Sequence, residues 1–289
     1  MILELLTLAA LLRIDASGDV YGAGDLSPPT ATIYSSLASF DLIEVELLEA
    51  ETLSLRVRLA GIPDPGMLPN GLTLPVIDVY LDLADGGAET LLPGPRMAMP
   101  LGTGWEVAVR VHGDDAYAIL SEDDDPRPYP VRVTRRGDTL FLDTSLAAPE
   151  QVRDVHALTG VYDPFSGDGW RPLTLQPSPW AFSSAAPAAP VIDLLAPDDE
   201  SQRLAIARAT LPSWPTSNAS SLWLVAMYAG LAIAVIGLWL RFTTSKPAEA
   251  GGAGGEVDLL GDEELRYEPV EDEQAGAAPA RSQPTGRGS

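Results

Sequence analysis

No cysteine occurs in the chain, which removes disulfide scaffolds, thiolate zinc sites and cysteine nucleophiles together. Lysine is nearly absent: Lys246 stands alone against 17 arginines. Histidine is limited to His112 and His156, each in a strand-like run with no ligand or nucleophile beside it, so both read as packing or surface residues. No Gly-x-Ser-x-Gly elbow, phosphate loop, His-Glu-x-x-His motif or dinucleotide fingerprint is present. Carboxylates are plentiful, and nothing selects a glycosidase-like pair among the 41. The chain is expected not to be an enzyme. Basic charge is also scarce, and a net charge of -23 leaves no electrostatic footprint for nucleic acid.

Long apolar runs are missing everywhere but one place. Residues 222–240 read LWLVAMYAGLAIAVIGLWL, without a charge, Pro, Asn or Gln. As a helix this run is about 28 Å long, close to the ~30 Å hydrocarbon core of a bilayer. Trp214 and Trp223 flank it on one side and Trp239 and Phe242 on the other, as interfacial aromatics do. A single transmembrane helix is expected there. Arg241 and Lys246 follow it, so the positive-inside rule places the 241–289 tail in the cytoplasm and the large N-terminal part outside the cell membrane. Residues 1–12, MILELLTLAALL, read three ways: a truncated signal peptide, an unusual working one, or the first strand of a cytosolic protein. Residues 210–221 form a Pro/Ser/Thr stalk, and the acidic, Gly- and Pro-rich tail is expected to be disordered.

The N-terminal part carries a period of two. Leu53, Leu55, Val57 and Leu59 alternate with Ser54, Arg56 and Arg58. Ile77, Val79, Leu81 and Leu83 alternate with Asp78, Tyr80 and Asp82; Trp105 falls in phase with Val107, Val109 and Val111, as a core residue should. Each run is expected to be a half-buried strand. Residues 43–48, 116–120, 129–135, 139–143, 153–162, 171–175 and 191–195 are further strand candidates, and 204–209 extends the last. Turn chemistry separates the runs at residues 63–66, 85–87 and 113–114, and at Gly137-Asp138, where hairpin spacing and Gly predict a type II′ turn. Together these predict an all-β protein, an antiparallel β-sandwich followed by the membrane helix and tail.

Several strings, taken in order, resemble one family. The Asp/Gly-rich opening from Asp15 through Asp19 and Gly22 to Gly24 is similar to that of the C-terminal binding module of glucodextranase, one of the DOMON-like, family-9-carbohydrate-binding-module-like sandwiches. Phe40-Asp41-Leu42 resembles its first core strand, Pro75 to Asp82 its central strand, and Gly104-Trp105-Glu106 the strand that follows. Tyr162-Asp163, Arg171-Pro172 and Trp180-Ala181-Phe182 look like its late loop, and Val191 to Leu195 with Ser201-Gln202 like its closing segment. The resemblance spans residues 13–209 and departs at Ser183-Ser184-Ala185-Ala186, where relatives carry glycines. It implies a non-catalytic, membrane-anchored module that binds carbohydrate or an envelope polymer. The alternative is an envelope adaptor that docks a protein partner, such as a glycan-processing enzyme or a transporter.

Two sets of residues carry the candidate chemistry. Asp15, Ser17, Asp19 and Asp25 place oxygens along a glycine-containing loop, the donor type Ca²⁺ takes; the same residues also make metal-free Asx turns. Asp163 to Trp170 offers similar oxygens. Sugar binding needs an exposed aromatic face. Trp170, in a Gly/Asp loop, is the first candidate, with Tyr162 and Trp180 behind it; the alternative for Trp170 is a packed loop anchor.

Overall fold

A computed structural model describes residues 12–63, 68–122, 127–185 and 189–214. The opening segment 1–11, the expected membrane helix at 222–240, most of the stalk and the tail lie outside these residues. Among the described residues no helix is long and apolar enough to cross a membrane.

Among the described residues ten antiparallel strands follow one another: β1 (Leu12–Ile14), β2 (Leu42–Leu48), β3 (Thr52–Leu59), β4 (Pro75–Asp82), β5 (Val107–Val111), β6 (Ala116–Leu120), β7 (Tyr129–Arg136), β8 (Thr139–Ala147), β9 (Asp154–Val161) and β10 (Val191–Leu194). A 3-10 turn, Thr32–Tyr34, precedes β2, and among the described residues one helix, α1 (Asp199–Arg208), follows β10. The ladder order is β1-β2-β3-β8-β7-β6-β5-β4-β9-β10. It is pinched between β6 and β7, where only Tyr117↔Pro130 and Ala118↔Tyr129 pair. There the sheet curls over, making two five-stranded layers that face each other. Leu53, Leu55, Val57, Leu140 and Leu142 of the first layer share one core with Ile77, Val79, Leu81, Val107, Val109 and Val155 of the second. At the far edges the layers are joined by polar bonds: Leu42 N–H donates to Asp193 Oδ2 at 2.7 Å, and Arg13 on β1 pairs with Asp154 on β9 at 2.8 Å.

The first layer follows its alternation except at Ser54, which is buried and donates to Asp143 Oδ1 at 3.0 Å. Inward residues of β3 are buried, while Arg56 and Arg58 stay half-exposed and pair with Glu44 and Glu46 across the β2–β3 ladder. The β7–β8 hairpin turns at Gly137, with φ +63°, and Asp138 has no positive φ, as a type II′ turn requires.

The second layer differs from expectation. Every residue of β4, β5 and β10 is buried, so these strands are covered on both faces rather than half-buried. The cover consists of residues 83–106, residues 163–185 and α1, whose Leu91, Leu92, Met97, Met99, Trp170 and Ile206 pack on Val76, Tyr80, Ala108 and Leu158. Trp105 is buried, but in this outer cluster rather than in phase with the β5 valines: it pairs with Ala88, and a bend at Glu106 separates it from the strand. Residues 171–175 form no strand; Thr174 makes only an isolated bridge to Ser183. Residues 204–209 do not extend β10. They belong to α1 and its cap, because Asp198 accepts from Ser201 N–H at 2.8 Å and starts a helix instead.

Candidate functional site

Beneath the cover, Arg110 on β5 holds the outer layer to the sheet. Its Nε donates to Asp78 Oδ1 at 2.6 Å and its Nη2 to Oδ2 at 2.7 Å, and Tyr80 OH donates to the same carboxylate. Nη1 also donates to the carbonyl of Asp168 and Nη2 to that of Pro93, one on each covering loop. A buried ion pair of this kind is stable only when its other bonding capacity is filled, as here.

Trp170 sits on this anchor, and its exposure is 2%. A Cβ at Gly160 would lie 2.0 Å from its Cζ3, and one at Gly94 2.3 Å from its Cδ1. The ring thus fills a slot that exists because two glycines have no side chain. Tyr162 is 9% exposed, stacked on His112 with centroids 4.4 Å apart, and its hydroxyl donates to Asp114 at 2.6 Å. Neither ring has a face left for a sugar, which corrects the expectation for Trp170 and Tyr162. The carboxylates of the Asp163–Trp170 loop are held by nearby partners: Asp168 bonds Ser166 and the Trp170 N–H, and Asp163 bonds the Phe165 N–H and Arg171.

Trp180 is different. It is 60% exposed, while its backbone is fixed: its carbonyl accepts from Arg171 Nη1 at 2.8 Å and from Tyr34 OH at 3.2 Å. Arg171 in turn pairs with Asp163 at 3.3 Å, and Asp163 holds the N–H of Phe165, whose side chain is 94% exposed. One polar network therefore links two outward-facing aromatics.

The second cluster lies where the far edges of the layers meet. Carboxylate oxygens of Asp15, Asp19 and Asp193 all lie within 4.8 Å of one another. Asp15 and Asp19 are in the loop after β1. Asp193 reaches the site through a bulge in β10: Val191 pairs with Gly160 but Asp193 with Thr159, so the extra residue, Ile192, turns the Asp193 side chain to the inner face. Asp41, just before β2, adjoins the cluster; its Oδ2 accepts from Gly18 N–H at 2.8 Å. Burial, then the Asp19 charge, raises Asp15 to about 8. Burial, with Asp41 and Asp199 adding, raises Asp19 to about 6. Burial also raises Asp41, and Asp193 far more, with Asp19 and Asp15 adding in the latter case.

Of the oxygens expected along the opening loop, Asp15 and Asp19 come together. Ser17 is exposed and acts only on Asp41. Asp25 is engaged elsewhere, accepting from Ser184 Oγ at 2.7 Å and Ala185 N–H at 2.9 Å. Asp41 and Asp193 had not been singled out. Their signal was a lone carboxylate in an otherwise apolar string, Phe40-Asp41-Leu42 and Val191-Ile192-Asp193-Leu194-Leu195.

Residues 13–213 match the family model described as the C-terminal binding module, SLH-like, of glucodextranase. A comparison with curated proteins finds no match. The match runs from β1 through α1, taking in the carboxylate cluster, the Arg110 anchor and the Trp180 loop. The chain belongs to the family of SLH-like C-terminal binding modules of glucodextranase.

Proposed function

We propose that this protein is a non-catalytic module that binds an uncharged glycan outside the cell, held at the membrane by residues 222–240. The observation that carries the reading is Trp180: an exposed ring on a backbone already fixed by Arg171 and Tyr34. The apolar C–H face of a sugar stacks on such a ring, and a platform that is ordered beforehand loses little entropy on binding. Asp163 and Arg171 keep 19% and 21% of their side chains exposed, within the same network, and offer hydroxyl groups an acceptor and a donor. Phe165, 94% exposed, is a second outward-facing ring whose backbone is tied to the same network. The strongly acidic balance favours a neutral polymer over an anionic one. Membership of a binding-module family supports the non-catalytic role. The apolar run at 222–240, with Arg241 and Lys246 behind it, supports an external module and a cytoplasmic tail.

A glycan array probed with the full chain and with Trp180→Ala tests this. The wild type is expected to bind a set of neutral glycans, and the variant to lose roughly thirty-fold in affinity, the ~2 kcal/mol of an aromatic hot spot. Undiminished binding by Trp180→Ala, or binding to no glycan, contradicts it.

A further inference from the structure

We propose that Asp15, Asp19 and Asp193, with Asp41 beside them, hold one calcium ion that clasps the β1 loop to β10 across the open edge of the sandwich. The oxygens of the first three lie within 4.8 Å of one another, close enough for all to reach one ion at about 2.4 Å. All four side chains are more than nine-tenths buried. Their partners do not fill them: Asp15 Oδ2, both oxygens of Asp19 and Asp41 Oδ1 are buried without a hydrogen bond. Buried polar atoms left bare are rare in native folds and mark a missing partner.

Two observations lie outside the trio. Asp41, on another element, keeps one oxygen buried and unpartnered, and its charge is felt by each of the other three. Gln202 of α1 is 1% exposed; its Nε2 donates to the Asp19 carbonyl at 2.6 Å, and its Oε1 is again unpartnered. None of the main influences on these carboxyls comes from a basic side chain. The donors are all oxygen, with no imidazole or thiolate, which selects a hard divalent cation over zinc or copper. An irregular set drawn from a loop, a strand start and a bulge suits calcium, which tolerates uneven coordination, better than magnesium, which demands an octahedron. The ion would replace repulsion with a bond between elements far apart in the chain, adding to the hydrogen bond from Leu42 to Asp193.

The test is thermal unfolding of the EDTA-stripped full chain in detergent, with and without calcium chloride, alongside native mass spectrometry. One calcium per chain is expected, with a rise of about 5–10 °C when calcium exceeds its Kd a hundredfold. Asp19→Asn is expected to lose that rise yet melt no lower than wild type in EDTA, since it removes one buried negative charge; this shows that the variant folds. Asp25→Asn is expected to keep the calcium shift. The proposal is overturned if calcium leaves wild type unshifted, if Asp19→Asn shifts as much as wild type, or if magnesium produces an equal shift.

Discussion

Two tryptophans of one covering loop do opposite work. Trp170 is structural: it lies over the Arg110–Asp78 pair, with the guanidinium carbon 6.0 Å from its ring centroid, in a slot made by Gly94 and Gly160. Gly160→Ala pushes a Cβ into that ring and is expected to destabilise the fold by about 1–3 kcal/mol in chemical denaturation. Trp180→Ala, on an exposed ring, is expected to change stability by no more than about 0.5 kcal/mol. The sequence left Trp170 ambiguous between platform and anchor. A glycine inside the β9 run was the available signal, since glycine in a strand marks a close approach. Asp82 gives a pH test at the same scale. Burial first, and then the Glu106 charge, lifts its carboxyl to about 6 in the folded protein, against an ordinary 3.8. Below the unfolded value both states are protonated and nothing is lost. Between about 3.8 and 6 the unfolded chain gives up this proton while the folded protein keeps it, so stability falls across that window and the full loss stands above about 6. Asp82→Asn is expected to raise the urea midpoint at about pH 8, with most of the gain gone by about pH 4.5. An equal gain at both pH values contradicts the assignment.

Elements were legible where one face meets water. Apart from Ser54, the alternation of β3 and the Gly137-Asp138 turn stand in the structure as their patterns say, because the first layer keeps its outer face wet. In the second layer the pattern misled: Asp78 and Tyr80 look like solvent residues of β4 but lie under loops whose own apolar residues, Leu91, Leu92, Met97 and Met99, follow no period. Residues 204–209 read as a strand extension because only Gln202, Ala205 and Ile206 of the ten residues of α1 are buried, too narrow a stripe to show a helical period. Its ends were the better guide: Asp198 as N-cap, Asp199 and Glu200 in the first turn and Arg208 in the last. The helix closes on Ala209 at φ 51°, ψ 41°, a left-handed conformation that penalises a Cβ. Ala209→Gly is expected to stabilise the protein by about 1 kcal/mol, and Asp198→Ala to destabilise it by a similar amount, both read from denaturant midpoints. The carboxylate cluster was half legible for a related reason. Asp15 and Asp19 share a loop, but Asp193 enters only through the β10 bulge, and a one-residue change of phase is invisible in a run as uniformly apolar as 191–195.

At the scale of the whole molecule, residues 222–240 are the proposed tie between a family-defined binding module and a membrane. If residues 222–240 span a bilayer, the full chain stays with the membrane fraction through an alkaline carbonate wash, and protease added to intact cells removes the N-terminal module. Release by carbonate contradicts the anchor, and an untouched module contradicts its placement outside. Whether Trp180 meets the glycan is tested by chemical protection, with no substitution in the chain. N-bromosuccinimide is expected to oxidise Trp180 well before the buried Trp105 and Trp170, as read by peptide mass spectrometry. A glycan that the array identifies is expected to slow oxidation of Trp180 and leave the other two as they were. Oxidation of Trp180 at the same rate with that glycan at saturation contradicts the account.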